Sequence, residues 1–200
     1  MKFGENLLHN DESVLRSLNT RIGAMKILGK VANFKTRKMV ANGIFMSKLI
    51  YLIPLWGGSA KYMIVALQKA QNRAARVVTK LDWHTPTSEL LKQCGWLSVH
   101  QLVVYHSVIL VFKILQNKSP RFLYSMFSAE YNYETRQARD GILRHTRDLD
   151  LGLTASSFRW RAARSFDGLP IEVRKLKTVQ NFKKAARAWI QQNIPLIPTD

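Results

Sequence analysis

Residues 69–80 read Lys69-Ala-Gln-Asn-Arg-Ala-Ala-Arg-Val-Val-Thr-Lys80. On a helical wheel, Lys69, Arg73, Arg76 and Lys80 fall within a sector of roughly 60°, because their spacing nearly closes a turn. Ile64, Leu67, Ala70, Ala74, Val77 and Val78 gather on the other side. The spacing predicts an amphipathic helix over about 60–80, with a packed face and a purely basic one. No acid offsets the basic face. Between Glu12 and Asp82 there is no Asp or Glu, whereas Arg16, Arg21, Lys26, Lys30, Lys35, Arg37, Lys38, Lys48 and Lys61 precede the basic helix. Solvated faces normally carry both signs. An acid-free stretch implies that a partner supplies the anions.

The whole chain of 200 residues carries Lys+Arg 31 against Asp+Glu 13, a net charge of +18. A hydrophobic content of 46% is that of a globular chain, not a disordered one. Such a charge points to nucleic acid, an anionic membrane surface or an acidic protein. The excess is uneven: +11 falls in residues 1–80, +1 in 81–130 and +6 in 131–200. Cys94 is the single cysteine, so no intramolecular disulfide can form, which suits a reducing compartment. The N-terminus lacks the apolar run of a signal peptide. The apolar stretches Leu49–Trp56 and Leu102–Phe112 are shorter than the roughly 20 residues a membrane span needs, and read as buried helix.

Outward from the basic helix, residues 1–10 show no clear period and read as a fragment edge. Asp11 is the expected cap of a helix over about 12–32, with Val14, Leu18, Ile22, Met25, Leu28 and Ala32 along one side. Asn33 or Thr36 caps the next helix. It is apolar almost all round at Met39, Val40, Ile44, Phe45, Leu49, Ile50, Leu52 and Ile53, and so is expected to be central. Pro54 ends or kinks it near Ile53. Gly57-Gly58 turns the chain and Ser59 caps the basic helix. Thr85-Pro86 starts a short helix that ends at Gly95. Ser98 and Gln101 form a capping-box pattern before an apolar helix to about Asn117. Ser119-Pro120 opens a further short helix. From Ala129 to Ser156 the helical period fails, leaving an irregular segment or one short β-hairpin. Ser157 caps a helix over 157–167. Thr178 caps the last, with Val179, Phe182, Ala186, Trp189 and Ile190 inward. The fold class is mainly α, about seven helices in a bundle. The expected organisation is an edge at 1–10, a basic three-helix bundle at 11–82, an apolar connector at 83–128, the irregular segment, and a C-terminal helical pair at 157–200.

Catalytic constellations are missing. No two acids adjoin except Asp11-Glu12, so clustered carboxylates for two-metal phosphoryl transfer are not in evidence. There is no P-loop, G-x-G-x-x-G or G-x-S-x-G. Cys94, His100 and His106 fit no common zinc spacing, and the bland reading is an exposed His, a core-lining His and a core thiol. Trp56, Trp83, Trp96, Trp160 and Trp189 could stack on bases, although core packing is the commoner use of such residues. Lys35, Arg37 and Lys38 sit at a helix start, where free backbone donors also favour a phosphate.

Several phrases occur together in order. They are Ser-Leu-Asn-Thr-Arg-Ile-Gly-Ala-Met-Lys (17–26), Ser-Lys-Leu-Ile-Tyr-Leu-Ile-Pro-Leu-Trp-Gly (47–57), Leu-Gln-Lys-Ala-Gln-Asn-Arg-Ala-Ala-Arg (67–76) and Cys-Gly-Trp-Leu-Ser-Val-His-Gln-Leu (94–102). Tyr-His-Ser (105–107), Pro120 to Phe127, Thr-Arg (135–136), Ser-Phe-Arg-Trp-Arg-Ala-Ala-Arg-Ser-Phe-Asp-Gly-Leu-Pro (157–170) and Asn-Phe-Lys (181–183) follow. This combination resembles the region downstream of the palm in reverse transcriptases of non-LTR (LINE-type) retrotransposons. The resemblance covers about residues 12–197. It implies that 12–80 correspond to the helical thumb, which in that family packs against the primer–template duplex, and that the rest is the connector after it. The catalytic Tyr-Ala-Asp-Asp motif of the family is absent, as are its fingers, endonuclease and zinc knuckle. The expectation is therefore a C-terminal piece of an RNA-directed DNA polymerase that binds but does not catalyse on its own.

The leading expectation is a sequence-independent grip on an RNA or RNA–DNA backbone by Lys69, Arg73, Arg76 and Lys80. Lys26, Lys30, Lys35, Arg37 and Lys38 would form a second patch nearby. No cofactor, metal, membrane or small-molecule substrate is expected. The location would be intracellular, nuclear or cytoplasmic. The competing expectation is a structural remnant whose apolar helices pack on an absent reverse-transcriptase palm, with an exposed apolar patch as its mark.

Overall fold

In the computed structural model the described residues are 3–51, 53–58, 60–127 and 158–197. The expected hairpin within 129–156 and the caps Ser59 and Ser157 lie outside them. Among the described residues the chain is mainly α with no strand, as the hydrophobic periods require. It divides into two compact units, Met1–Leu102 with Pro195–Asp200, and Val103–Ile194.

In the first unit, α1 (Phe3–Leu28) buries Leu18, Ile22 and Met25, three of the predicted inward positions. It begins well before the expected start. Residues 3–10 are helical, so Asp11 lies inside the helix and is not its cap. It also ends earlier, at Leu28, leaving Leu28 partly exposed and Ala32 in the following turn. Asn33 caps α2 (34–50), its side chain accepting from Thr36 N at 2.9 Å. The middle of α2, Ala41–Met46, widens into a π turn. Arg21 of α1 donates to the Ile44 carbonyl there at 3.1 Å. α2 is less central than its composition suggests. Phe45 and Leu49 are wholly buried, but Met39 faces solvent. The helix stops at Ile50, slightly before the expected position, with Tyr51 extended. Pro54 then sits in the first turn of the one-turn helix α3 (Ile53–Trp56), where its missing N–H costs nothing.

The basic helix is α4 (Lys61–Thr79). Its N-cap is Ala60, which makes no side-chain cap bond. Early α2 meets late α4 through Arg37 and Val78, and late α2 meets the middle of α4 through Met46 and Gln71, so the two run antiparallel. α5 (Thr87–Cys94) begins after Pro86, again without a side-chain cap; Thr85 instead lends its carbonyl to Arg76. Gly95 ends α5 in the left-handed conformation (φ 67°), with Trp96 N donating to Leu91 O at 2.9 Å. That is the glycine-dependent stop expected from the sequence. The Ser98–Gln101 capping box forms as read: Ser98 N donates to Gln101 Oε1 and Gln101 N to Ser98 Oγ, both at 3.2 Å.

Helix α4 has three faces, where the wheel showed two. The third is a buried amide face. Gln68 Nε2 donates to Gln71 Oε1 and to Asn72 Oδ1, each at 2.9 Å. Gln71 Nε2 donates to Leu97 O at 2.9 Å, and Val99 N donates to Gln68 Oε1 at 2.8 Å. Asn72 Nδ2 reaches Thr87 Oγ1 at 2.8 Å. These bonds bind segment 87–99 to α4 and explain why residues 83–102 belong to the first unit. Buried polar groups must be paired, and here both glutamines are.

The second unit holds α6 (Val99–Asn117) from Val103 onward, α7 (Arg121–Phe127), α8 (Phe158–Asp167), the one-turn α9 (Ile171–Arg174) and α10 (Val179–Asn193). By length and composition alone α6 could cross a membrane, yet Val108, Val111 and Ile114 are buried in packing. Phe112 stacks on Phe182 with centroids 4.0 Å apart, and Phe166 lies 6.1 Å from Phe182. Phe182, Ala186 and Ile190 point inward from α10 as predicted, and the Thr178 side chain accepts from Asn181 N.

Removing one member of the amide network leaves buried partners unpaired. Gln71→Ala should therefore destabilise the protein by about 2–4 kcal/mol in urea unfolding. Lys69→Ala, on the solvent face of the same helix, should stay within about 0.5 kcal/mol.

Candidate nucleic-acid interface

The exposed face of α4 carries Lys69 and Arg73, and Lys80 follows as the left-handed C-cap (φ 59°). α1 lies alongside. Arg73 Nη2 donates to Asn19 Oδ1 at 2.7 Å, and a side chain at Gly29 would meet Val77 at 3.3 Å. Both contacts advance in the same direction, so α1 and α4 run parallel. Arg16 and Lys26, a turn before and two turns after Asn19, then share its side of α1, and both are exposed. The result is two cationic rails. One is Arg16 and Lys26; the other is Lys69, Arg73 and Lys80. Gly23 lies on the same side of α1 with open space around it. From Lys69 to Lys80 the ridge spans roughly 16 Å at the rise of a helix. That is on the order of five base-pair steps of a duplex. Among the described residues, none of Lys26, Lys30, Lys35, Lys69, Arg73 and Lys80 is ion-paired.

Two arginines assigned to phosphate contact in the sequence are committed elsewhere. Arg76 is half-buried. Its Nη2 donates to Trp83 O at 3.0 Å and to Thr85 O at 3.5 Å, and its guanidinium lies 4.8 Å from the centre of the Trp83 ring. Arg37 donates through Nε to Val78 O at 2.8 Å and through Nη1 to Ala32 O at 2.6 Å. Val78 lies in the last turn of α4, where carbonyls lack intrahelical partners, and a charged donor satisfies one of them. The wheel could not show this, because the acceptors arrive from distant segments.

The second patch likewise does not assemble as one surface of five cations. Lys26 joins the ridge, and Lys30 and Lys35 are exposed around the α1–α2 turn. Lys38 turns toward the end of α5, its Nζ lying 3.5 Å from where a side chain on Gly95 would begin. A cation suits the C-terminal end of a helix. Arg16 is marked in the sequence only by its place in the acid-free stretch, and the structure adds it to the ridge.

Of the tryptophans, Trp56 and Trp96 are buried, and their indole N–H groups donate to Tyr51 O (3.0 Å) and Asn42 Oδ1 (2.9 Å). Trp160 and Trp189 are half-buried. Trp83 is 70% exposed.

The metal candidates do not converge: no group of three or more His, Cys, Asp or Glu comes together among the described residues. Cys94 is buried, and burial pushes its thiol up to about 11, with the Lys38 charge pulling the other way. His100 is lowered by burial, offset in part by its contact with Pro195 O at 3.2 Å. His106 is lowered by burial and by the Lys183 charge. Comparison with family models, curated proteins and solved structures finds no match.

Two outcomes follow from this geometry. Arg37→Gln should cost about 1–3 kcal/mol in urea unfolding, because it strips charged donors from two carbonyls, whereas Lys35→Gln should be silent. Both histidines titrate below their ordinary 6.5 when folded, so below that pH the unfolded chain binds more protons. The thermal midpoint should hold above 6.5 and fall as the pH drops through it. His106→Gln should shallow that fall.

Proposed function

We propose that the first unit grips the sugar-phosphate backbone of an RNA or RNA–DNA duplex without reading its sequence, as a thumb-like piece of a non-LTR retrotransposon reverse transcriptase. One observation carries the reading. Arg16, Lys26, Lys69, Arg73 and Lys80 form two exposed rails on helices that run in the same sense, and no acid lies between Glu12 and Asp82 to neutralise them. Cations in that arrangement release counterions from a polyanion and gain affinity that is blind to base identity. The ordered phrases shared with the post-palm region support the same partner. The reading assigns binding to this chain and no chemistry, cofactor or small-molecule substrate.

A second reading is favoured by the α1–α2 corner. Val31 is 90% exposed, and Ile27 and Met39 are also in solvent. Beside them lies an apolar groove of ≈ 230 Å³ lined by Met25, Leu28, Val40 and Val77 among others. Such a patch suits packing against another domain, of which a polymerase palm is the candidate. Under this reading the chain alone binds an apolar dye and self-associates, and Val31→Ser with Met39→Ser suppresses both.

The test of the main reading is the binding of the purified chain to a labelled RNA–DNA duplex over about 50–200 mM salt. Log K should fall with a slope of about −3 or steeper. Lys69→Gln with Arg73→Gln should flatten that slope by about 2 for every sequence alike. A chain that folds yet binds nothing at low salt, or a loss confined to one sequence, would sink the proposal.

A further inference from the structure

We propose that Trp83 is a stacking platform for an unpaired nucleobase at the end of the duplex held by the basic ridge. The inference rests on the backbone-binding reading and deepens it, adding a contact to a base where the ridge contacts only phosphates. Trp83 follows Lys80, the last cation of the α4 rail, by three residues, and the chain folds back there to set it beside Arg76, one turn before Lys80. Trp83 is 70% exposed, whereas Trp56 and Trp96 are 4% and 7% exposed.

The ring is also fixed. Arg76 backs one face at 4.8 Å and donates to the Trp83 carbonyl at 3.0 Å, so a single guanidinium sets both backbone and ring. Trp83 N donates to Asp82 Oδ1 at 2.5 Å and Thr85 N to Asp82 O at 3.2 Å, which pins the turn from its other side. With one face against a cation, the remaining exposure belongs to the opposite face and the edge. A cation under an indole favours a planar π system laid on top, and any base supplies one. The surroundings decide against a protein hot spot. Those sit inside a ring of contacts that shuts out water, whereas Lys80, Asp82 and His84 around Trp83 are all exposed. A simple lid would be buried, and this ring is not. Asp82 adds an acid near the site, but its carboxylate accepts from the backbone of Trp83.

The experiment uses the full chain and three RNA–DNA duplexes: one blunt, one with a short single-stranded overhang, and one with the same overhang whose first nucleotide is abasic. Phosphates are matched between the two overhangs, so only the base differs. The wild type should favour the intact overhang over the abasic one by about 5- to 150-fold, the range of one base–aromatic stack. Trp83→Ala should erase that preference while leaving blunt-duplex affinity and salt slope unchanged, and Trp83→Phe should keep most of it. Circular dichroism confirms that each variant folds. Equal binding of both overhangs by the wild type overturns the inference and spares the ridge. An equal loss on all three duplexes in Trp83→Ala overturns it as well, assigning the ring to loop architecture. Failure of the wild type to bind any of the three removes the ridge and the platform together.

Discussion

The first unit depends on two buried glutamines. Gln68 and Gln71 lie one turn apart on α4 and face segment 95–99 rather than solvent. They supply donors and acceptors to the backbone that joins α5 to α6, where no helix ladder can do so. A buried amide left unpaired costs more than a paired one gains, so the network permits one register of α4 against that segment. With that face fixed, the apolar face must turn to α1 and α2, and Lys69 and Arg73 must turn to water. The orientation of the basic ridge is thus set by groups that carry no charge.

The cations divide by head-group chemistry. The guanidinium is a planar fork with several directed donors, and three of the unit's five arginines are spent accordingly: Arg21 on Ile44 O, Arg37 on Ala32 O and Val78 O, Arg76 on Trp83 O and Thr85 O, while Arg16 and Arg73 stay exposed on the ridge. The lysines mostly stay in solvent, but Lys38 beside Gly95 and Lys48, 5.9 Å from the centre of the Tyr51 ring, are half-buried. With no acid in the stretch, backbone carbonyls serve as the internal partners for positive charge. They neutralise none of it. The unit therefore gains order from its arginines and keeps its full positive field for an external anion. In the second unit, by contrast, Arg174 and Asp167 pair internally at 3.7 Å, and the core is an aromatic stack around Phe182.

Most helices were legible because apolar spacing and caps are local signals. The turn at Asn33, the left-handed stop at Gly95 and the capping box at Ser98 were each readable from a few neighbouring residues. The misplaced boundaries share a cause. Asp11, Thr85 and the continuous apolar run of α2 are signals of residue type alone, and the structure departs from each: the helix runs through Asp11, Thr85 lends a carbonyl to Arg76, and Met39 is exposed. The site was legible as charge and not as geometry. A wheel places Arg76 among Lys69, Arg73 and Lys80, yet cannot show the loop that folds back over it.

By itself, the amino-acid sequence determined a mainly α chain, an acid-free basic segment and the cationic face of one helix, because all three follow from composition and a period of 3.6. Only the tertiary structure decided which cations reach solvent, which tryptophan stays open, and that α1 lies parallel to α4 to add a second rail. Those outcomes depend on contacts such as Arg73 with Asn19 and Gln71 with Leu97, whose partners are far apart in the chain. No local pattern encodes such pairs, because their geometry exists only once the helices have packed.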